Sequence, residues 1–198
     1  INCLFDANST SEMASNTHVA DRHELLTTTL AEATDTCWIV DPTPETITAA
    51  VDVASDSDTA AQLRLLAAED TLKTTFDEFL VASRTADLVA DNDLAVRTRG
   101  GDTTNSLVVT DQVVTAVVAA SEQVAGLRAD EPELVETTRA AIADRWDNAE
   151  AFRLRTPAIS EIRATLSDDI GGGIRGDFDT VLDSLETAGG DTALDEVT

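Results

Sequence analysis

The stretch TNSLVVTDQVVTAVVAASEQ, residues 104–123, holds two β-branched apolar runs: Leu107-Val108-Val109, then Val113-Val114 with Val117-Val118. A polar turn, Thr110-Asp111-Gln112, separates them. Val is stiff at χ1 and packs well on a pleated surface, so two such runs about a short turn predict a β-hairpin. The Val content exceeds what a sheet with one wetted face needs, and the hairpin is expected to be buried on both faces. It carries no His, Cys or Lys, and a single carboxylate at its turn. Taken alone, it names neither a ligand nor a reaction.

Strand and helix patterns alternate upstream of the hairpin. A helical pattern covers Asp21 to Ala33, with Leu25, Leu26 and Leu30 on one side, and Thr36 to Val40 reads as the first strand. Asp41-Pro42-Thr43-Pro44 ends that strand. Thr43 suits an N-cap, Pro44 the first helical position and Glu45 the first turn of a helix reaching Ala54. Gln62 to Ala67 is the second strand. A long helix is expected from Asp70 to Ala90, with Leu72, Phe76, Phe79, Leu80 and Ser83 inward. Leu94 to Thr98 is the third strand, and Gly100-Gly101-Asp102 turns the chain into the hairpin. A strand at Gln123 to Arg128 and a helix from Pro132 to about Phe152 follow, the helix facing inward through Val135, Ile142, Trp146 and Ala149. The order β-α-β-α-β-β-β-β-α predicts an α/β domain with a mixed sheet and a parallel portion.

Residues 153–157 form a linker in this reading. Two helical patterns then flank Gly171-Gly172-Gly173 and make a helical hairpin within residues 158–198. The second carries the apolar stripe Ile174, Phe178, Val181, Leu182 and Leu185, which needs a partner surface: another element, another protomer or a following domain. It also carries Asp177, Asp179, Asp183 and Glu186, the wrong sign for reading DNA. Residues 1–20 are expected to be a disordered leader, with Met13 as a candidate start, and residues 21–152 the mixed α/β domain.

The formal net charge is −25, from 38 acidic and 13 basic residues, and Lys73 is the only lysine. An acidic, lysine-poor, Asp- and Thr-rich chain points to a cytosol of molar salt, with an acidic partner-binding surface as the alternative. At about 1 M salt the Debye length falls to about 3 Å, so the charge does not by itself exclude a polyanionic partner. Cys3 and Cys37 are not in metal or disulfide spacing, and no apolar run approaches membrane length. A cytoplasmic protein without membrane contact or cofactor is expected.

Chemistry-bearing candidates are few. Asp41 lies at the carboxyl end of the first strand, where ligands bind in open α/β sheets, although an acidic chain also places carboxylates there by chance. His18 and His23 are five residues apart and share no helical face, so surface roles fit them better than metal binding, and they supply no triad. Gly100-Gly101 and the triple Gly lack phosphate-loop or dinucleotide spacing.

Two resemblances build on these residues. The strand-helix-strand-helix order followed by a buried hairpin resembles the phospholipase-D-like fold, whose catalytic signature HxKxxxxD lies on such a hairpin. Matching its Asp to Asp111 puts Thr104 at the His position and Ser106 at the Lys position. The resemblance then implies that hydrolysis is lost and that a sensor or dimerisation module remains, with Asp41, Thr104, Ser106 and Asp111 as ligand-binding candidates. The second resemblance rests on LRLLAAEDTLKTTFDEFLVASRTADLVADNDLAVRT (63–98), NSLVVTD (105–111), AEAFRLRTPAISEIRATLSDDIG (149–171) and DFDTVLDSLETA (177–188). These segments are similar to the haloarchaeal TbsP family of transcriptional regulators, in which a winged helix-turn-helix follows the equivalent of LDEVT (194–198). It implies a non-enzymatic, dimeric, effector-sensing part of a regulator of carbon-metabolism genes, reaching DNA through a C-terminal domain absent from this chain. The alternatives are a degenerate phosphodiesterase-like enzyme and a stand-alone protein-interaction module.

Overall fold

The computed structural model describes residues 17–56, 61–101, 105–120, 123–169, 176–182 and 184. Its elements are β1 (Thr17–Ala20), α1 (Arg22–Glu32), β2 (Thr36–Val40), α2 (Pro44–Asp56), β3 (Gln62–Ala67), α3 (Glu69–Phe76), α4 (Phe79–Ala90), β4 (Leu94–Thr98), β5 (Leu107–Val109), β6 (Val114–Ala120), β7 (Gln123–Ala129), α5 (Pro132–Asp147), β8 (Glu150–Ala151) and α6 (Ile159–Asp169). Residues 176–182 are also helical.

The strands form one mixed sheet in the order β1-β7-β6-β5-β2-β3-β4-β8. β2, β3 and β4 are parallel, and the remaining pairs are antiparallel. Side chains alternate across a strand, so β2 divides its five buried residues between two cores. Cys37 and Ile39 join Leu63, Leu65 and Val108 under α1, α2 and α4. Trp38 and Val40 join Leu66, Val109 and Val114 under Val135, Ile142 and Trp146 of α5. The mixed α/β class expected from the sequence is the observed one.

Four expectations need correction. Thr17–Ala20, assigned to the leader, pairs antiparallel with β7 as an edge strand. The hairpin is buried on both faces only near its turn: Val108, Val109, Val113 and Val114 are inside, whereas Val118 is 50% exposed. The helix expected over 70–90 breaks, because Glu78 turns extended before α4. Phe76 then packs on Phe152, ring centroids 5.6 Å apart, while Phe79 is left 43% exposed. The last helix of the α/β domain ends at Asp147, where the Asn148 side chain caps it by donating to the Asp144 carbonyl. That frees Glu150–Ala151 to pair with β4, and the Phe152 amide donates to the Val96 carbonyl.

α6 is fastened to α4. The Asp87 carboxylate accepts from the Ile159 and Ser160 amides and from the Ser160 hydroxyl, capping the start of α6. Arg163 pairs with Asp179 at 2.8 Å, linking α6 to the helical residues 176–182.

Candidate functional site: the carboxyl edge of the parallel strands

β2 ends by running into Asp41, whose φ of 48° lies in the left-handed region that Asp tolerates better than most residues. This bend lets the Asp41 amide donate to the Leu66 carbonyl and sends the chain through Pro42 to the N-terminus of α2. There the Thr43 carbonyl accepts from the Thr46 and Ile47 amides. The Thr43 hydroxyl bonds the Glu45 carboxyl and lowers its pKa. At the end of β4, the Arg99 amide donates to the Ala67 carbonyl, and its side chain turns inward to pair with Asp41. The guanidinium also donates to the Gly101 carbonyl. The Asp41 side chain is 2% exposed and that of Arg99 10%, so this ion pair lies away from water. Each charge taken from water alone carries a penalty of several kcal/mol, so each requires the other.

A crevice of about 420 Å³ opens beside this pair, between the strand ends and the last turns of α5. Arg99, Gly100, Asp144, Arg145 and Asn148 line it over the apolar floor of Val40 and Leu66. The carboxyl edge of parallel strands is where ligands sit in open α/β sheets, because loops there are free to vary over a fixed scaffold. A few polar groups around an apolar floor can orient a small polar ligand.

The ligand-binding candidates do not all meet here. Val40 pairs with Leu107 across β2 and β5, so Ser106, one residue earlier, lies at the same edge as Asp41. Asp111 lies at the other end of β5, near the start of β2. There it accepts from the Thr34 amide (3.1 Å) and the Thr34 hydroxyl (2.8 Å). The Thr34 amide, with help from its hydroxyl, holds the Asp111 carboxyl below the usual carboxylate range. Both Asp111 oxygens thus clamp the approach to β2. Thr104 lies outside the described residues. The antiparallel pairing of β5 with β2 separates residues that sequence spacing had grouped.

The second helical stripe is also divided. Leu182 is buried, Phe178 half-buried and Val181 56% exposed. Ile174 and Leu185 lie outside the described residues. Sequence reasoning missed Arg99. The available signal was an Arg directly before Gly100-Gly101 at a strand end, one strand removed from Asp41 in the parallel sheet. Cys37 is inert: burial first, then the charge of Asp111, pushes its thiol pKa up to about 12.

Fold and site together define a mixed α/β domain with a ligand-sized crevice at its strand ends. Residues 14–157 match the family described as Transcriptional regulator TbsP-like, N-terminal, and the chain belongs to that family. No curated protein matches the sequence. Among solved structures the fold is similar to that of TrmBL2, an archaeal chromatin protein whose structure shows a novel mode of DNA binding. The TM-score is 0.50 at 13% identity, covering 72% of this chain and 57% of that one, so the likeness is one of fold and this chain spans little more than half of that protein. Nuc, a phospholipase D family member from Salmonella typhimurium, matches with a TM-score of 0.49 at 15% identity over 69% of this chain and 97% of its own. NucT from Helicobacter pylori matches with a TM-score of 0.45 at 10% identity over 69% and 98%. Among the described residues, no helix is long and apolar enough to cross a membrane.

Proposed function

We propose that this chain is the effector-sensing and dimerising part of a transcriptional regulator of carbon-metabolism genes, acting in a haloarchaeal cytoplasm without catalysing a reaction. The observation that carries the reading is the Asp41–Arg99 pair beside the crevice at the strand ends. A buried ion pair at a strand terminus gives a ligand two ways to act: by contacting the guanidinium, or by shifting the loops that the pair ties together. DNA contact is assigned to a winged helix-turn-helix of the kind that follows this part in family members. Thr104 and Ser106 at the signature's His and Lys positions support a non-enzymatic role, because they supply neither the imidazole nucleophile nor the phosphate-binding ammonium.

The effector reading is tested by thermal denaturation of the chain against a panel of carbon-metabolism intermediates. One of them is expected to raise the melting temperature of the wild type and not of Asn148→Ala. Stabilisation by none, or equal stabilisation of both proteins, sinks the crevice as the effector site. Dimerisation is proposed to use the exposed Val181 together with Phe178, with Ile174 and Leu185 of the same stripe completing the surface in this reading, while Leu182 is buried within the chain. Light scattering in high salt is expected to give a dimer that Val181→Asp splits into folded monomers; a wild-type monomer rejects the interface. Turnover of a model phosphodiester that vanishes in Asp111→Ala would instead favour the degenerate-enzyme alternative.

A further inference from the structure

The cations of this acidic chain are not distributed evenly with respect to their partners. Lys73, Arg84, Arg99, Arg128, Arg139 and Arg163 each pair with a carboxylate. Among the described residues no carboxylate pairs with Arg64 or Arg97, nor with the more exposed Arg153 beside them, although acidic residues outnumber basic ones by 38 to 13. Arg64 and Arg97 are half-buried on the α5 face of the sheet, and tryptophan holds both. The Arg64 guanidinium carbon lies 4.9 Å from the Trp38 ring centroid and 5.7 Å from that of Trp146. That of Arg97 lies 4.8 Å from the Trp146 centroid, and the two rings meet edge to face at 5.3 Å.

Their hydrogen bonds use few of their donors. Arg64 Nε and Nη2 both donate to Gln62 Oε1 at 3.3 Å, and Arg97 Nη1 donates to the Trp146 carbonyl at 2.6 Å. A guanidinium carries five N–H donors in a rigid fork, so most remain unused on both residues. Stacking fixes the forks without neutralising them, the arrangement that bidentate recognition of an oxyanion requires. Both line a groove of about 780 Å³ along β4, to which Arg153 adds a third guanidinium and Glu161 a carboxylate, while the buried Trp146 backs the two stacked forks. That volume is in the range of small-molecule sites, about 300–1,000 Å³.

We propose that this groove binds a small organic anion, a phosphorylated or polycarboxylate metabolite, with its oxyanion on Arg64 and Arg97. The site differs from the crevice at Arg99 and stands or falls independently of it. A duplex nucleic acid is disfavoured as occupant, because Arg64 and Arg97 are half-buried in a groove of small-molecule size instead of standing on an open basic face.

Trp38 and Trp146 are the only two tryptophans in the chain and both belong to the cluster, so intrinsic emission reports on this site. The chain is titrated with pyrophosphate and with citrate at constant ionic strength. A saturable emission change is expected, and the probe that produces it tells phosphate from carboxylate chemistry. Arg64→Gln and Arg97→Gln are each expected to weaken binding about tenfold or more, whereas Arg139→Gln, which alters a cation already paired with Asp35, leaves it unchanged. Since Arg97 also holds the end of α5, circular dichroism accompanies each variant. Arg97→Lys keeps the charge but loses the fork and the stack, and it is expected to weaken binding while remaining folded. No saturable change with either probe overturns the proposal, as does equal affinity in Arg64→Gln. Displacement of the probe by mixed-sequence duplex at a lower phosphate concentration also overturns it, in favour of a nucleic-acid surface.

Discussion

The two wings of the sheet are built from similar residues and end in different environments. In the parallel wing, β2 is buried along its whole length, and Leu65 and Leu66 of β3 go to opposite cores. In the antiparallel wing, β6 and β7 bury one face against α1 and leave Val118 and Leu127 about half exposed on the other. The difference lies in the connections. Each parallel step requires a crossover, and α2, α3 and α4 supply a helical layer as a consequence of topology. The β5–β6 and β6–β7 steps are short connections that bring no helix with them. Among the described residues α5 is the helix over the second face, and its inner residues Val135, Ile142 and Trp146 reach from β6 across to β4 without extending over β7. An apolar, β-branched strand is therefore a statement about pairing, and its cover is settled by what the chain does between strands.

The strongest test of the parallel wing is its buried ion pair. Asp41→Asn keeps a side chain suited to φ 48° but removes the charge facing Arg99, and it is expected to destabilise the fold by about 3–5 kcal/mol in chemical denaturation. A loss within experimental error would mean that water reaches the pair. The contrast between wings is tested by one truncation on the same sheet face in each. Leu66→Ala is expected to lose about 2–5 kcal/mol, and Val118→Ala no more than about 0.5 kcal/mol. A large loss at Val118 would mean that this face is covered in solution.

The covered side of the antiparallel wing has its own probe. A Cβ on Gly126 would lie 2.8 Å from Leu25 Cδ1 and 3.1 Å from Thr115 Cγ2, so α1 must shift or Leu25 must rotate. Gly126→Ala is expected to be destabilising by about 1–3 kcal/mol, and Leu25→Ala in the same background should recover part of the clash. An indifferent Gly126→Ala would show that α1 rides loosely on β7. The smallest effect belongs to Asp111→Asn, about 1 kcal/mol at neutral pH from weakened bonds to Thr34. Because the folded carboxyl has a lowered pKa, its contribution is complete above the unfolded value of about 3.9 and disappears as pH falls through the folded one. The stability gap between wild type and Asp111→Asn should therefore close below about pH 4; a gap independent of pH would indicate that the amide substitution acts through packing.

Much of the candidate site escaped a reading of residue spacing. Asp41 was legible, because a strand followed by Asp-Pro-Thr-Pro fixes both a carboxyl end and a helix start. Its partner was not, because Arg99 lies 58 residues away and meets it only when β3 is inserted between β2 and β4. Asp111 and Ser106, five apart and grouped by motif, diverge because an antiparallel strand carries its two ends to opposite edges of the sheet. The Arg64–Arg97 cluster was equally hidden: alternation told that each shared a face with its strand neighbours, and only the crossing of α5 brought Trp146 between them.

What the sequence by itself determined is local and periodic. It set the extents of β2, β3 and β4, and of β7 to within one residue, through short apolar runs between polar turns, the start of α2 through Thr43-Pro44, and the inner face of α5 through Val135, Ile142 and Trp146. Tertiary structure alone decided whatever depends on competition between surfaces. Phe76 leaves one helical stripe to pack on Phe152, breaking the helix expected over 70–90. Glu150–Ala151 leaves the end of α5 to complete an edge, and Val118 stays exposed for want of a covering helix. Propensity acts over a few residues and is worth at most about 1 kcal/mol per position for residues other than Pro, whereas burying one large apolar side chain is worth about 1.5–3 kcal/mol. Where the two disagree, packing decides.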